Sequence, residues 1–189
     1  ARNKSYISFA KRSSQVELYF MDYWIHGSYS IYIMDIKDVR IMDLHTLQQD
    51  IIQEEGGIIL KPYQDHLGYW TIGAGHLIRD NEKDELMNPI TYQRGLELFL
   101  KDFNVAVDDA EQFTEGMNID DNAHECVIHM VFQLGLPRLN KFVKFKKCLS
   151  ENNIEGAIEE MRDSLWYNQT TNRANRIIEK MQKSANSNA

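Results

Sequence analysis

After residue 43, one short stretch reads as β structure and the rest reads as helix. It spans about 58–78, and Gly68, Gly73 and Gly75 cut it into brief, turn-linked segments. Before it, Leu44, Leu47, Ile51 and Ile52 recur at helical spacing, with Asp43 as the N-cap and Gly56-Gly57 as the stop. Beyond it, "NPITYQRGLELFLKDFNVAVDDAEQF" predicts a helix capped at Pro89 to Thr91, and "IDDNAHECVIHMVFQLG" a second one ended by Gly135-Leu136-Pro137. "LNKFVKFKKCLS", "IEGAIEEMRDSLW" and "TNRANRIIEKMQKS" predict two or three more, and the small polar tail "SANSNA" is expected to fray. Strands that occur once and together cannot build an alternating β-α-β sheet. The pattern therefore predicts an α+β fold in which a small β lobe joins a larger helical lobe, with a ligand-sized cleft between them.

Residues 1–43 differ in character. "QVELYFMDYWIHGSYSIYIMDIKDV" is rich in aromatic and β-branched residues, and His26-Gly27-Ser28 is a turn signal. Two strands, about 15–25 and 29–36, are expected to form a hairpin. Six aromatics between Tyr19 and Tyr32 suit either strand packing or a docking face. With 189 residues, one domain and a small appendage fit. The expected division is an extension at 1–43 and a main domain at 44–189, with the first helix and β lobe at 44–90 and the helical lobe at 91–189.

Charge narrows the classes. Residues 1–43 carry six Lys/Arg against five Asp/Glu, and the remainder fifteen against twenty-three, so the acidity lies in the main domain. That balance argues against a nucleic-acid partner and gives no long-range pull toward anionic polymers. Tyr19 to Met34 is interrupted by Asp22, His26, Ser28 and Ser30, so it predicts no membrane span, and no basic-then-apolar signal peptide is visible. Cys126 and Cys148 lie in helical patterns without metal spacing, as small apolar thiols would. His124 and His129 are five apart and face different sides of a helix, so no metal site is predicted.

The candidate chemistry lies in "EEGGIILKPYQDHLGYWTIGAGH", residues 54–76. Acid–base cleavage of a glycosidic bond needs one carboxyl group that donates a proton and another that remains ionised. A glutamate at the buried end of a helix and an aspartate on a wet turn would supply that contrast. At about 100° per residue, Glu55 falls beside the roughly 60° arc of Leu44, Leu47 and Ile51. Glu55 is expected to point inward and Glu54 to lie at the solvent edge.

"EGGIILKPYQDHLGYWTIGAGHLI", "MVFQLG" and "SLWYNQTTNRANR" together resemble, in order, the motifs of the T4-type phage lysozymes, glycoside hydrolase family 24. The resemblance covers about 44–182 and implies a lysozyme-like fold and a muramidase without a cofactor. Its substrate would be the β-1,4 bond between N-acetylmuramic acid and N-acetylglucosamine in peptidoglycan glycan strands, cleaved with inversion. It implies Glu55 as general acid, Asp65 as the residue that activates water, and Thr71 as a group that holds that water. Leu77 and Phe132 would line the cleft, Gln133 would hydrogen-bond the glycan, and Arg173 would face the glutamate. Trp166 and Tyr167 fit the core better than a sugar contact. His76 and Asp102 match a structural ion pair. The protein would lie in the host cytoplasm before release to the wall, or on a virion, with the 1–43 extension meeting virion or tail proteins.

From Glu55 to Asp65 is ten steps where the family has nine, and the glycine pair can absorb the extra residue. The position that matches a family cleft serine holds Phe145. Two other readings stay open: a lysozyme-fold binding or structural protein of a virion without catalysis, and a chitin-type glycosidase.

Overall fold

The structure is a computed structural model that describes residues 6–11, 17–25, 28–34, 44–65 and 67–187, with side chains from 44–65 and 67–184. The Asp43 cap and the His26-Gly27 turn lie outside the described residues, as do the side chains of the 1–43 aromatics. The chain divides into two compact units, Ala1–Ile51 and Ile52–Ala189.

In the first unit, three strands rather than two form an antiparallel sheet: β1 (Tyr6–Lys11), β2 (Glu17–Ile25) and β3 (Ser28–Met34). β2 and β3 are paired from Tyr19↔Met34 to Ile25↔Ser28, and β1 adds from Tyr6↔Asp22 to Lys11↔Glu17. "YISFAK" lacks the alternation and flanking turn residues that made the other two strands legible. Helix α1 (Leu44–Glu54) begins in this unit and buries Leu44, Leu47, Gln48 and Ile51, the stripe expected from their spacing.

The second unit has its own small antiparallel sheet of β4 (Ile59–Gln64), β5 (Trp70–Gly73) and β6 (His76–Leu77), ordered β4-β5-β6. Ile72 and Ile78 pack with Leu86, Leu98, Met87 and Ile90 beneath it. Leu86 comes from α2 (Lys83–Leu86), and Leu98 from α3 (Tyr92–Phe113), which Thr91 caps by accepting from the Arg94 amide. α3 approaches β4 and β5 closely because Gly95 has no side chain: a β-carbon there would stand 2.4 Å from Ile58 Cγ2.

Helix α4 (Asp121–Leu134) is capped by Asp120 and buries Ala123, Cys126, Val127, Ile128, His129, Met130 and Val131. An apolar surface on nearly every side marks a helix in the middle of a bundle. Helix α4 packs on α3, on α5 (Leu136–Leu139) and on α9 (Thr171–Ser187), while α6 (Val143–Ser150) packs on α7 (Ile154–Arg162), and α7 and α8 (Leu165–Gln169) meet α9. The fold is α+β. Two further expectations are corrected. "IEGAIEEMRDSLW" is not continuous, because Ser164 caps a new helix by accepting from the Tyr167 amide. The tail is helical to Ser187.

Candidate active site

Glu55 stands just past the last residue of α1. Gly56 N–H donates to the Gln53 carbonyl at 3.0 Å, and Gly57 N–H to the Ile52 carbonyl at 2.8 Å. This pair of bonds closes the helix as a Schellman motif, with Gly56 at φ 82° and Gly57 at φ 92°, conformations glycine adopts without strain. Glu55 is therefore the capping residue, carried off the helix end into a groove of ≈ 1650 Å³. Its Oε1 accepts from Arg173 Nη1 on α9 at 2.6 Å. Its Oε2 lies over Gly75, where an added β-carbon would stand 2.6 Å away. The bare backbone of the β5–β6 turn makes room for this carboxyl group.

Glu54 is not the solvent-edge residue that helix phase predicts. Its side chain is 15% exposed against 19% for Glu55. Arg176, one turn along α9, grips both its oxygens at 2.5 Å and thereby holds the carboxyl below its ordinary pKa. The periodicity of α1 cannot rank the two glutamates, because the helix ends between them. The partners differ instead: Arg176 is 57% exposed and Arg173 11%.

Asp65 follows β4 on a tight turn. Its Oδ1 accepts the amides of Leu67 at 2.9 Å and Tyr69 at 2.8 Å, and its own amide donates to the Tyr69 carbonyl at 2.9 Å. Thr71 is buried on β5, and its hydroxyl donates to the Tyr69 carbonyl at 3.1 Å. Directly across the strand from Thr71 is Tyr63. Burial first, then the charges of Glu55 and Asp65, push the Tyr63 phenol up, so it stays neutral within range of both carboxyls. The residue reading passed over Tyr63. The signal was its position two residues before Asp65, which puts both side chains on one strand face.

The opposite wall comes from the helices. Phe132 and Gln133 line it at the C-terminal end of α4, and the Phe132 ring lies 5.8 Å from that of Phe99. Trp166 is buried, as expected, and its indole N–H donates to Gln133 Oε1 at 2.7 Å. Leu77 lines the groove from β6 and is half exposed. Glu55, Asp65, Thr71, Leu77, Phe132, Gln133 and Arg173, the seven residues expected at the site, thus line one groove. Phe145 reaches it too, but is buried and stacked on Phe113 at 6.2 Å.

His76 on β6 is tied to α3 by a 2.6 Å bond from Nδ1 to Asp102 Oδ2, with Glu82 3.4 Å from Nε2. Burial disfavours the imidazolium, yet the two carboxylates outweigh it and the His76 pKa is raised. Among the described residues, no group of three or more His, Cys, Asp or Glu could hold a metal ion. No described helix is long and apolar enough to cross a membrane. The site offers two carboxyl groups in unlike settings, one on a guanidinium and one on backbone amides, along one groove.

Comparison with known proteins matches residues 53–183 to the family model described as phage lysozyme. The "Probable T4-type lysozyme 1" of Dictyostelium discoideum is 33% identical, covering 69% of this chain and 90% of its own length. The "Pre-baseplate central spike protein Gp5" of Enterobacteria phage T4 is 28% identical over 68% of this chain and 26% of its own. The "Peptidoglycan hydrolase gp36" of Pseudomonas phage phiKMV is 27% identical over 63% of this chain and 13% of its own.

Proposed function

The chain belongs to the phage lysozyme family, and from that premise we propose that it is a peptidoglycan hydrolase, a muramidase that cuts the β-1,4 bond after N-acetylmuramic acid with inversion. One observation carries the reading: Glu55 and Asp65 line the same groove and are held by unrelated elements.

In the proposed reaction, Glu55 carries its proton on Oε2, since Oε1 is taken by Arg173. That proton passes to the glycosidic oxygen as the bond to the anomeric carbon breaks. A water on the opposite face forms the new bond and gives up a proton to Asp65. The two amides on Asp65 Oδ1 fix the carboxylate and leave Oδ2 for this water. Thr71 spends its hydroxyl proton on the Tyr69 carbonyl, so its oxygen accepts the water's second hydrogen. With both hydrogens directed, the water turns a lone pair toward the sugar. Gln133, whose oxygen is occupied by Trp166, presents its amide N–H groups to the glycan.

Purified peptidoglycan incubated with the protein, followed by mass spectrometry and rapid NMR of the new reducing ends, tests this. New N-acetylmuramic acid ends of α configuration are expected. New N-acetylglucosamine ends, β products, or turnover only of chitin oligosaccharides would overturn it, and a cell suspension that never clears would favour a binding protein. We further infer delivery on a virion, supported by the similarity to a protein named as a spike component and by the acidic body, which a tethered enzyme tolerates.

A further inference from the structure

One segment of this acidic chain reverses its charge. From Pro137 to Lys147, "PRLNKFVKFKK", there are five cations and no carboxylate. Two of the five are engaged elsewhere: Lys146 lies over the Phe113 ring at 4.7 Å, and Lys147 is 3.8 Å from Glu151. The other three, Arg138, Lys141 and Lys144, are exposed and line the groove. Among the described residues, neither Arg138 nor Lys141 has a carboxylate within 4.0 Å, and Lys144 has Glu160 at 3.8 Å, a loose contact.

The local fold holds them in place. Pro137 is the second residue of α5, Leu139 is buried, and the amides of Asn140, Lys141 and Phe142 bond back to Leu136, Arg138 and Leu139. Phe145 and Leu149 then anchor α6. With Leu139, Phe145 and Leu149 taken by the core, 138, 141 and 144 are left at steps of three on the outside, with Val143 exposed among them. Cations clustered on a ligand groove, in a main domain whose net charge is negative, form a selective field.

The glycan backbone of peptidoglycan offers little for three cations, but the peptides it carries end in free carboxylates. Glu160 and Asp163 also line this end of the groove. They would repel a uniformly anionic phosphodiester polymer and accept the free ammonium of a peptide's diamino acid. We propose that Arg138, Lys141 and Lys144 form a subsite for the carboxylates of the peptides attached to the glycan strand. The proposal rests on the peptidoglycan reading of the groove and specifies which strands it prefers.

The test uses the full chain with Glu55→Gln, so that the ligand stays intact, with and without the triple change Arg138→Gln, Lys141→Gln, Lys144→Gln. Calorimetry gives Kd for soluble peptide-bearing glycan, for the same glycan stripped of peptides, and for a phosphodiester wall polymer. The triple change should weaken the peptide-bearing ligand by about 10-fold, leave the stripped one unchanged, and flatten the salt dependence of the first. Equal Kd values for both chains on every ligand would make these cations an ordinary solvated face and overturn the proposal. A loss confined to the phosphodiester polymer would overturn it in favour of a wall-polymer site. Because binding is read without turnover, a protein that binds peptide-bearing strands but never cuts them fails the hydrolase reading alone.

Discussion

Glu55 stands at a helix cap, and the acid role proposed for it depends on neighbours that a helix would not need. Gly75 is one: its φ of 79° disfavours any side chain, and its missing β-carbon is the space Glu55 Oε2 occupies. Gly75→Ala should therefore cost about 1–2 kcal/mol of stability through the backbone, and should also lower kcat by about 100-fold by moving the carboxyl. Denaturant melts and turnover on peptidoglycan read the two effects separately, and full activity would show that Gly75 is only a turn residue. In the sequence, it is the family motif that points to Glu55 rather than Glu54. The phase argument reached the same residue for a reason that fails, since α1 stops at Glu54 and Arg176, 122 positions away in the chain, shelters it. No local pattern announces a partner that distant.

At the scale of elements, two buried histidines set opposing pH limits. His129 on α4 is 4% exposed, and burial, then the positive charges of Lys180 and Arg173, push it down to about 3. Between about pH 6.5 and that value the unfolded chain takes up a proton that the native one refuses. Stability should then fall with acidification, by at most about 1.4 kcal/mol per pH unit from this group. His76 works the other way. Its raised pKa, due to Asp102 and Glu82 acting against burial, gives a contribution fully present below about pH 6.5 and lost as pH rises through the folded value. Melts from pH 4 to 8.5 should peak near 6.5, with His129→Leu flattening the acid side and His76→Gln the alkaline side. An unchanged alkaline limb in His76→Gln would mean that the tie between β6 and α3 contributes nothing. The long helices were legible because their caps, Thr91, Asp120 and Gly135, are local chemistry. The break at Asp163-Ser164 was not, since a serine cap inside an amphipathic run looks like any polar surface position.

At the scale of the molecule, the groove gathers residues 54–77, 132–145 and 160–176. Composition and periodicity gave the two lobes and a cleft, but only the family motifs picked residues from all three stretches. The family match begins at Gln53 and leaves the first 52 residues outside it. Deleting residues 1–40 should accordingly leave hydrolysis of soluble glycan within about twofold; loss of that turnover would make the N-terminal sheet part of the enzyme. The deletion does not touch the central claim, that Glu55 is the acid. That claim is tested most directly by turnover of purified peptidoglycan by Glu55→Gln and Glu54→Gln, on preparations with matched melting curves. Glu55→Gln should lose about 100- to 10,000-fold, the usual range for a general acid, and Glu54→Gln no more than a few-fold. Full activity in Glu55→Gln, with the loss appearing in Glu54→Gln, would contradict it.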